Sequence, residues 1–190
     1  MPPKAKFTKQ QIIDTAFCLV QKHGMEMLTA RSLAAELETS TAPIFTAFSS
    51  IEEVQNAVIE RAMALYKTYF DEGISMTPPF KGTGIKYIEF AKNEPELFKL
   101  LFMGSDEDEQ ASHFFPEKDE NSPIVLNTLE NNNGISEDKA RYLYNHLSVY
   151  AHGLAVLYAQ RRCVFTMEDV NRMLSEVFLA LLGGNNEQHN

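Results

Sequence analysis

Residues 40–48 combine side-chain types that suit contact with a nucleic acid. Ile44 and Phe48 repeat at i and i+4, the spacing of a buried helix face, so they are predicted to point inward. Short polar, apolar and aromatic side chains are then left to face outward, at Thr41, Ala42, Phe45 and Thr46. A small helix with one such face fits the major groove of DNA. Nothing else in the sequence suggests a chemical site.

The preceding residues supply the elements that would position this face. Thr29 is predicted to cap a helix by accepting a backbone N–H of the first turn. The apolar face of that helix is formed by Leu33, Ala34 and Leu37. Glu38-Thr39 is predicted to form a tight corner, and Ser40 to cap the next helix. The pattern therefore predicts two short helices joined at a corner.

One further helix on each side completes this unit. Thr8 and Gln11 form a capping-box pattern, and Gly24 stands where the first helix should end. Ser49-Ser50 is predicted to cap a fourth helix with glutamates in its first turn, where the helix dipole favours negative charge. We expect residues 1–50 to form a tri-helical helix-turn-helix domain and residues 51–190 to form a second domain.

Residues 8–60 resemble the DNA-binding domain of the TetR family of bacterial transcriptional regulators. The shared pattern comprises Gly24, Thr29, Leu33-Ala34, Ser40 to Phe48, and Ser50-Ile51-Glu52-Glu53-Val54. The resemblance implies a double-stranded DNA operator as partner. The candidate DNA-binding residues are Lys6, Lys9, Thr29, Arg31, Ser40, Thr41, Ala42, Pro43, Phe45, Thr46 and Ile51. A generic three-helix bundle without a DNA role is the alternative.

Four positions depart from the family pattern. Glu38 stands where the family has the glycine that gives the corner a positive φ, so either a cost on the order of 1 kcal/mol is expected or the corner is built differently. Phe45 lacks the hydroxyl of a tyrosine that commonly contacts phosphate, and Thr41 and Ile51 stand where the family has lysine. Each of these three replacements removes a candidate phosphate contact, and phosphate contacts supply most non-specific affinity.

The net charge of the chain argues against binding to DNA, whereas the positions of the first lysines are compatible with it. The chain has a formal net charge of −9, and residues 1–60 contain five basic and seven acidic side chains. A DNA-binding domain usually presents a basic patch instead. Lys4, Lys6 and Lys9 nevertheless precede every acidic residue. This segment is either an arm that lies along the DNA backbone or a solvated tail.

Length and composition are typical of a globular protein. The 190 residues are 44% hydrophobic, with no apolar run near the roughly 20 residues of a membrane span. The first residues lack the apolar region of a secretory signal. Cys18 and Cys163 lie far apart in sequence and are expected to be thiols. We expect a cytoplasmic protein without a membrane partner.

Helical spacing continues to the end of the chain and predicts an all-α fold of about nine helices. Ile85, Ile88 and Ala91 mark the fifth helix. The sixth is capped by Asn93, with Pro95 in its first turn, and a possible seventh runs from Pro123 to Asn131. Ser136 and Thr166 are predicted to cap the eighth and ninth helices. Residues 104–121 are predicted to form an acidic loop.

Residues 87–103 and 147–162 resemble the C-terminal region called WHG in some TetR-family proteins. His152-Gly153 matches its His-Gly pair, whereas Ser148 occupies the place of its tryptophan. The resemblance implies a domain that binds a small apolar or amphipathic effector and forms a homodimer. The candidate pocket residues are Tyr87, Phe90, Phe98, Phe102, Tyr144, Tyr150 and His152. Aromatic side chains at helical spacing form either a pocket or a plain core, and both possibilities stay open.

Two wide apolar stripes near the end of the chain predict a dimer interface. The eighth helix contributes Leu147, Ala151, Leu154, Ala155 and Tyr158, and the ninth contributes Val170, Met173, Leu174, Val177, Phe178 and Leu181. Two such helices from each chain would form a four-helix bundle with twofold symmetry. The alternative is that both stripes pack within a single chain.

The sequence contains no recognisable catalytic, metal or cofactor motif. His113, His146 and His152 show neither a metal-binding spacing nor a cysteine partner, and nucleotide and nucleophile fingerprints are missing. The resemblance to the TetR family therefore implies a non-enzymatic regulator, most simply a repressor that a small ligand releases from a palindromic operator. Two alternatives are a helical ligand-binding or adaptor protein with weakened DNA binding, and an all-α enzyme with an unrecognised site.

Overall fold

The computed structural model of the chain describes residues 7–104 and 122–184. These residues form nine α-helices and one 3-10 helix, without a strand, so the predicted all-α fold is confirmed. The helices are α1 Lys9–His23, α2 Ala30–Glu36, α3 Ala42–Ala47, α4 Ile51–Ile74, α5 Pro79–Asn93, α6 Pro95–Phe102, α7 Ser122–Asn133, α8 Glu137–Ala159 and α9 Met167–Gly183; the 3-10 helix is Met25–Met27. Lys4, Lys6, His113 and the predicted acidic loop beyond Gly104 lie outside the described residues.

The described residues form two compact units. The first comprises residues 7–65 and 94–104, and the second comprises residues 66–93 and 122–184. The predicted boundary after residue 50 separates a DNA-binding domain from a second domain by their expected functions, and it stays a prediction. Sequence reasoning did not anticipate that α6 packs with the first helices, because its apolar residues look the same whichever unit buries them.

The first unit is built around α1. Helix α1 packs against α2 and α6, and the Gln21 side chain donates a hydrogen bond to Glu94 Oε2 at 2.7 Å. The guanidinium of Arg61 in α4 lies 4.5 Å from the centre of the Phe17 ring and pairs with Asp14. The fully buried side chains include Ile12, Val20, Leu28, Leu33, Ile44, Val54, Val58, Leu97 and Phe98. This core holds α2 and α3 in place.

The second unit is built around the contact of α5 with α8. Helices α7 and α9 pack against this pair, and Ile88, Phe90, Leu129, Leu143 and Val170 are among its buried side chains. Backbone meets backbone where the end of α4 approaches the start of α5. A Cβ added to Gly82 would lie 2.2 Å from the carbonyl oxygen of Gly73, so only glycine fits there.

The helix starts follow the predicted caps at five positions and differ at two. The side chains of Thr8, Thr29, Ser50, Ser136 and Thr166 each accept an N–H of the first turn, as predicted. The prediction for Ser40 is wrong, because α3 begins at Ala42 and its N-cap is Thr41, without a side-chain cap. The prediction for Asn93 is wrong because Pro95 disfavours helical geometry at the residue before it. The break between α5 and α6 therefore falls at Glu94.

The corner between α2 and α3 contains a non-glycine residue with positive φ. Glu38 has φ 50°, and its N–H donates to the carbonyl of Ala35 at 3.0 Å. The N–H of Thr39 donates to the carbonyl of Ala34 at 2.9 Å. This pair of bonds is a Schellman motif, in which glycine usually takes the position of Glu38. The strain expected from the sequence is therefore present.

Glu38→Gly is expected to raise the free energy of unfolding by about 0.5–1 kcal/mol, because it removes the cost of a left-handed conformation. Thermal denaturation at fixed protein concentration measures the effect. Glu36→Gly, in the last turn of α2, is the matched control and should lower stability by about 1 kcal/mol. Equal effects of the two substitutions would contradict the strain at Glu38.

Candidate nucleic-acid interface

Helix α3 divides its side chains between the core and the solvent as the sequence predicts. Ile44 and Phe48, the latter just after the helix end, are 0% and 4% exposed. Phe45 is 49% exposed, and Ala42 and Thr46 are also exposed. The hydroxyl of Thr46 donates to the carbonyl of Ala42 at 2.9 Å. The outward face of α3 therefore carries no long polar side chain and is largely apolar.

The other candidates around α3 differ in how accessible they are. Ser40 is exposed, whereas Thr41, Pro43 and Ile51 are half-buried. The Thr29 hydroxyl accepts the N–H of Ser32 at 3.1 Å and is used to cap α2. The reciprocal bond from the Thr29 N–H to Ser32 Oγ, at 3.0 Å, completes a capping box that the sequence reading missed. A serine three residues after the cap was the available signal.

Positive charge is sparse on this unit, and part of it is paired. Lys9 Nζ lies 3.2 Å from Glu53 Oε1 and 4.8 Å from the centre of the Phe48 ring. The Ser49 backbone N–H donates to Glu53 Oε2 at 2.7 Å, and this bond, with that from Lys9, holds the pKa of Glu53 below its usual value. Arg31, near the start of α2, is exposed and forms no ion pair with a described residue. Arg31 is therefore the candidate best placed to meet a phosphate.

The candidate pocket residues are divided between the two units. Phe98 and Phe102 belong to the first unit, with ring centres 5.3 Å apart. In the second unit the Tyr87 hydroxyl lies 2.9 Å from His152 Nδ1. Burial lowers the pKa of His152, which favours the neutral ring. The predicted pocket itself stays a prediction.

Other aromatic side chains in the second unit belong to two groups. Phe90 is fully buried, and the ring of Tyr66, which the sequence reading did not select, is centred 5.4 Å from it. Tyr144 is buried in a separate cluster that includes Phe70 and Leu129, and Tyr150 is half-buried. The structure therefore groups Tyr87 with His152 and assigns Tyr144 to the core.

A groove of about 780 Å³ between α4 and α5 contains none of the candidate pocket residues. Its walls carry Lys86, whose Nζ lies 2.9 Å from a carboxylate oxygen of Glu72 and 2.9 Å from one of Glu89. Hydrogen bonds to these two carboxylates raise the pKa of Lys86 to about 12. The groove therefore carries an ion-pair network in which one lysine meets two carboxylates.

The predicted dimer residues differ in how far one chain buries them, and the interface stays a prediction. Six of them are buried within one chain: Leu147, Ala151, Leu154, Ala155, Val170 and Leu174. Neighbouring helices of the same chain cover these side chains. Tyr158 donates to the carbonyl of Phe165 at 2.5 Å, and Met173, Val177, Phe178 and Leu181 are half-buried.

A different set of apolar side chains remains exposed on α8 and α9. Val149 is 64% exposed and Leu157 is 37% exposed, two turns apart on α8. Gly153 lies between them, and a Cβ there would meet nothing within 4 Å. Leu179 on α9 is 63% exposed. Sequence periodicity missed this face because apolar residues surround most of α8.

Membrane and metal sites are not evident among the described residues. No helix in residues 7–104 and 122–184 is both long and apolar enough to cross a membrane. The same residues contain no group of three or more side chains suited to hold a metal ion.

Two solved structures of regulators are similar to this chain. A TetR-like transcriptional regulator from Rhodococcus sp. RHA1 has a TM-score of 0.72 and 15% identity, with 97% of this chain and 100% of that chain covered. The fatty acid degradation regulator FadR from Bacillus halodurans has a TM-score of 0.56 and 15% identity, with coverages of 93% and 95%. No family model and no curated protein matches the chain in sequence.

The similarity defines the class of fold. The chain has the all-helical fold of TetR-like transcriptional regulators along nearly its whole length. The expectation drawn from the sequence motifs is thereby confirmed for the fold.

Lowering the pH from 7.5 to 5.5 is expected to reduce stability in part through His152. Its pKa is lower in the folded chain, so the unfolded chain binds more protons as the pH falls, and the stability present above the unfolded value is lost. His152→Gln should remove this part of the pH dependence in thermal denaturation. His146→Gln, an exposed histidine of the same helix, is the control. An unchanged pH profile in His152→Gln would contradict the burial effect.

Proposed function

We propose that this protein is a TetR-type transcriptional regulator that binds DNA through α3 and has no enzymatic activity. It acts in the cytoplasm as a homodimeric repressor on a palindromic operator. Binding of a small apolar or amphipathic ligand in the helical second part shifts the dimer to a state of lower DNA affinity.

The observation that carries this proposal is the arrangement of α3. Ile44 and Phe48 attach it to the core of the first unit, and Phe45 and Thr46 remain available on the opposite face. The hydrogen-bonded corner after α2 sets its direction. A short helix held in this way is the reading element of helix-turn-helix proteins, and two of them bind successive major grooves about 34–36 Å apart.

A second candidate function is ligand binding or an adaptor role with weakened DNA affinity. The pairing of Lys9 with Glu53 supports it, because a paired lysine has less charge to offer a phosphate. The exposed α3 face also lacks the tyrosine hydroxyl and lysine of the family pattern. Measurements on DNA separate the two functions.

The effector is proposed from the chemistry of the second unit. Tyr87 and His152 form a polar pair beside aromatic side chains, including Tyr66, whose ring is centred 6.1 Å from that of Tyr87. The Tyr87 hydroxyl and a neutral His152 ring are polar groups without a formal charge. This pair favours an uncharged or weakly charged ligand with an apolar body. FadR, of similar fold, is described as a regulator of fatty acid degradation, which is compatible with such a ligand.

The dimer is proposed to form through the exposed faces of α8 and α9. Gly153, flanked by Val149 and Leu157, allows a second helix to approach closely. Leu179 extends the apolar area on α9. A stable twofold interface needs at least about 1,200 Å² of buried surface, which two helices per chain can supply.

Thr46→Glu is expected to abolish specific DNA binding while leaving helicity and melting temperature nearly unchanged. The substitution places a negative charge on the exposed face of α3, where it would meet the DNA. Fluorescence anisotropy with the DNA upstream of the protein's own gene measures the effect. Thr128→Glu is the matched control, because the Thr128 hydroxyl makes the same bond to a carbonyl one turn earlier, on α7. Undiminished binding by Thr46→Glu would mean that this face is not the DNA surface.

Joint replacement of Val149 and Leu179 by Arg is expected to convert the dimer to a monomer that keeps its helices. Both side chains are exposed in one chain, so the change disturbs the partner face and spares the core. Sedimentation at micromolar concentration should give twice the chain mass for the parent and the chain mass for the variant. Ile124→Arg, on an exposed position of α7, should remain dimeric. A monomeric parent, or a dimeric double variant, would contradict the proposed face.

A further inference from the structure

The α3 helix lacks the side chains that usually identify guanine and adenine. Residues 42–47 are Ala, Pro, Ile, Phe, Thr and Ala, so the helix carries neither a charged nor an amide side chain. Bidentate recognition of guanine requires Arg or Lys, and that of adenine requires Asn or Gln. The helix must therefore distinguish base pairs in another way if it reads DNA.

The hydrogen-bonding capacity of this helix is also small. The Thr46 proton is donated to the Ala42 carbonyl at 2.9 Å, within the helix itself. Thr41, at the N-cap, is half-buried, and the exposed hydroxyl of Ser40 lies before the helix. The Thr46 γ-methyl group is unaffected by the hydrogen bond of its hydroxyl. Most of the surface presented to a groove is therefore hydrocarbon.

The apolar groups on the exposed face are close together. Ala42 precedes Phe45 by three positions and Thr46 by four, so the three side chains lie on neighbouring positions of one helix face. The Phe45 side chain is 49% exposed although it has no polar atom to form a hydrogen bond with water. The apolar feature of a base edge in the major groove is the C5-methyl group of thymine.

We propose that Phe45, with Ala42 and the Thr46 methyl group, is the specificity-determining element and that it reads thymine methyl groups. The inference rests on the proposed function, because it concerns the same face of α3. Each half-site of the operator is then recognised by the position of its thymines. Arg31 on α2 contributes sequence-independent affinity through phosphate.

Replacement of thymine by deoxyuridine tests this proposal, because uracil lacks only the methyl group and keeps every hydrogen-bonding atom. The full chain first selects duplexes from a random pool. Each thymine of the selected duplex is then replaced singly, and affinity is measured by fluorescence anisotropy at one salt concentration. Loss of a contacted methyl group should weaken binding about fourfold. Thymines outside the half-sites should show no effect.

Variants of the protein assign the effect to Phe45. In Phe45→Ala, the loss caused by deoxyuridine should shrink toward onefold at the position that Phe45 contacts. Phe45→Leu, which keeps an apolar side chain, should bind more tightly than Phe45→Ala and retain part of the effect. Phe165→Ala removes an exposed aromatic side chain far along the chain and should behave as the parent does. Arg31→Ala should weaken binding to all duplexes and leave the deoxyuridine effect intact.

The outcomes separate this inference from the proposed function. Failure to enrich any duplex would overturn DNA-binding regulation itself. An enriched duplex that binds equally well with deoxyuridine at every half-site thymine would overturn methyl reading while leaving regulation in place. A deoxyuridine effect that persists in full in Phe45→Ala and Phe45→Leu would remove the role of Phe45.

Discussion

The anchoring of α3 by Ile44 and Phe48 is the constraint on which the rest of the candidate interface depends. Both side chains are buried in the core of the first unit, so the helix cannot rotate without exposing them. Their burial decides that Phe45 and Thr46 face outward. A helix of six residues has little stability of its own, and this packing with the corner bonds from Glu38 and Thr39 compensates for it.

The apolar exposed face of α3 and the low charge of the first unit both bear on how strongly the proposed DNA binding would depend on salt. A surface of methyl and phenyl groups gains affinity by removing apolar area from water, which depends weakly on salt. A surface rich in lysine gains it by releasing counterions, which depends strongly on salt. With Lys9 paired to Glu53, the described part of this unit offers less unpaired positive charge than the family pattern implies.

In the second unit, tertiary packing determines which side of an apolar helix is buried. Helix α8 carries apolar residues on most of its circumference, and the contact with α5 determines which of them are buried. Ala155 is fully enclosed, whereas Val149 is exposed. The close approach of Gly73 and Gly82 shows the same principle at the backbone, because the distance between α4 and α5 leaves no room for a side chain.

Local signals in the sequence determined the helices, most of their caps and the inward direction of Ile44, because each depends on neighbours within a turn of the chain. The strain at Glu38 was also readable, since a single position in a capped corner demands positive φ. Contacts between distant segments could not be read in this way. Three features depend instead on which surfaces meet in three dimensions: the packing of α6 on α1, the pairing of Lys9 with Glu53, and the side of α8 that stays exposed. Periodicity shows which residues share a helix face, and it does not show which other surface covers that face.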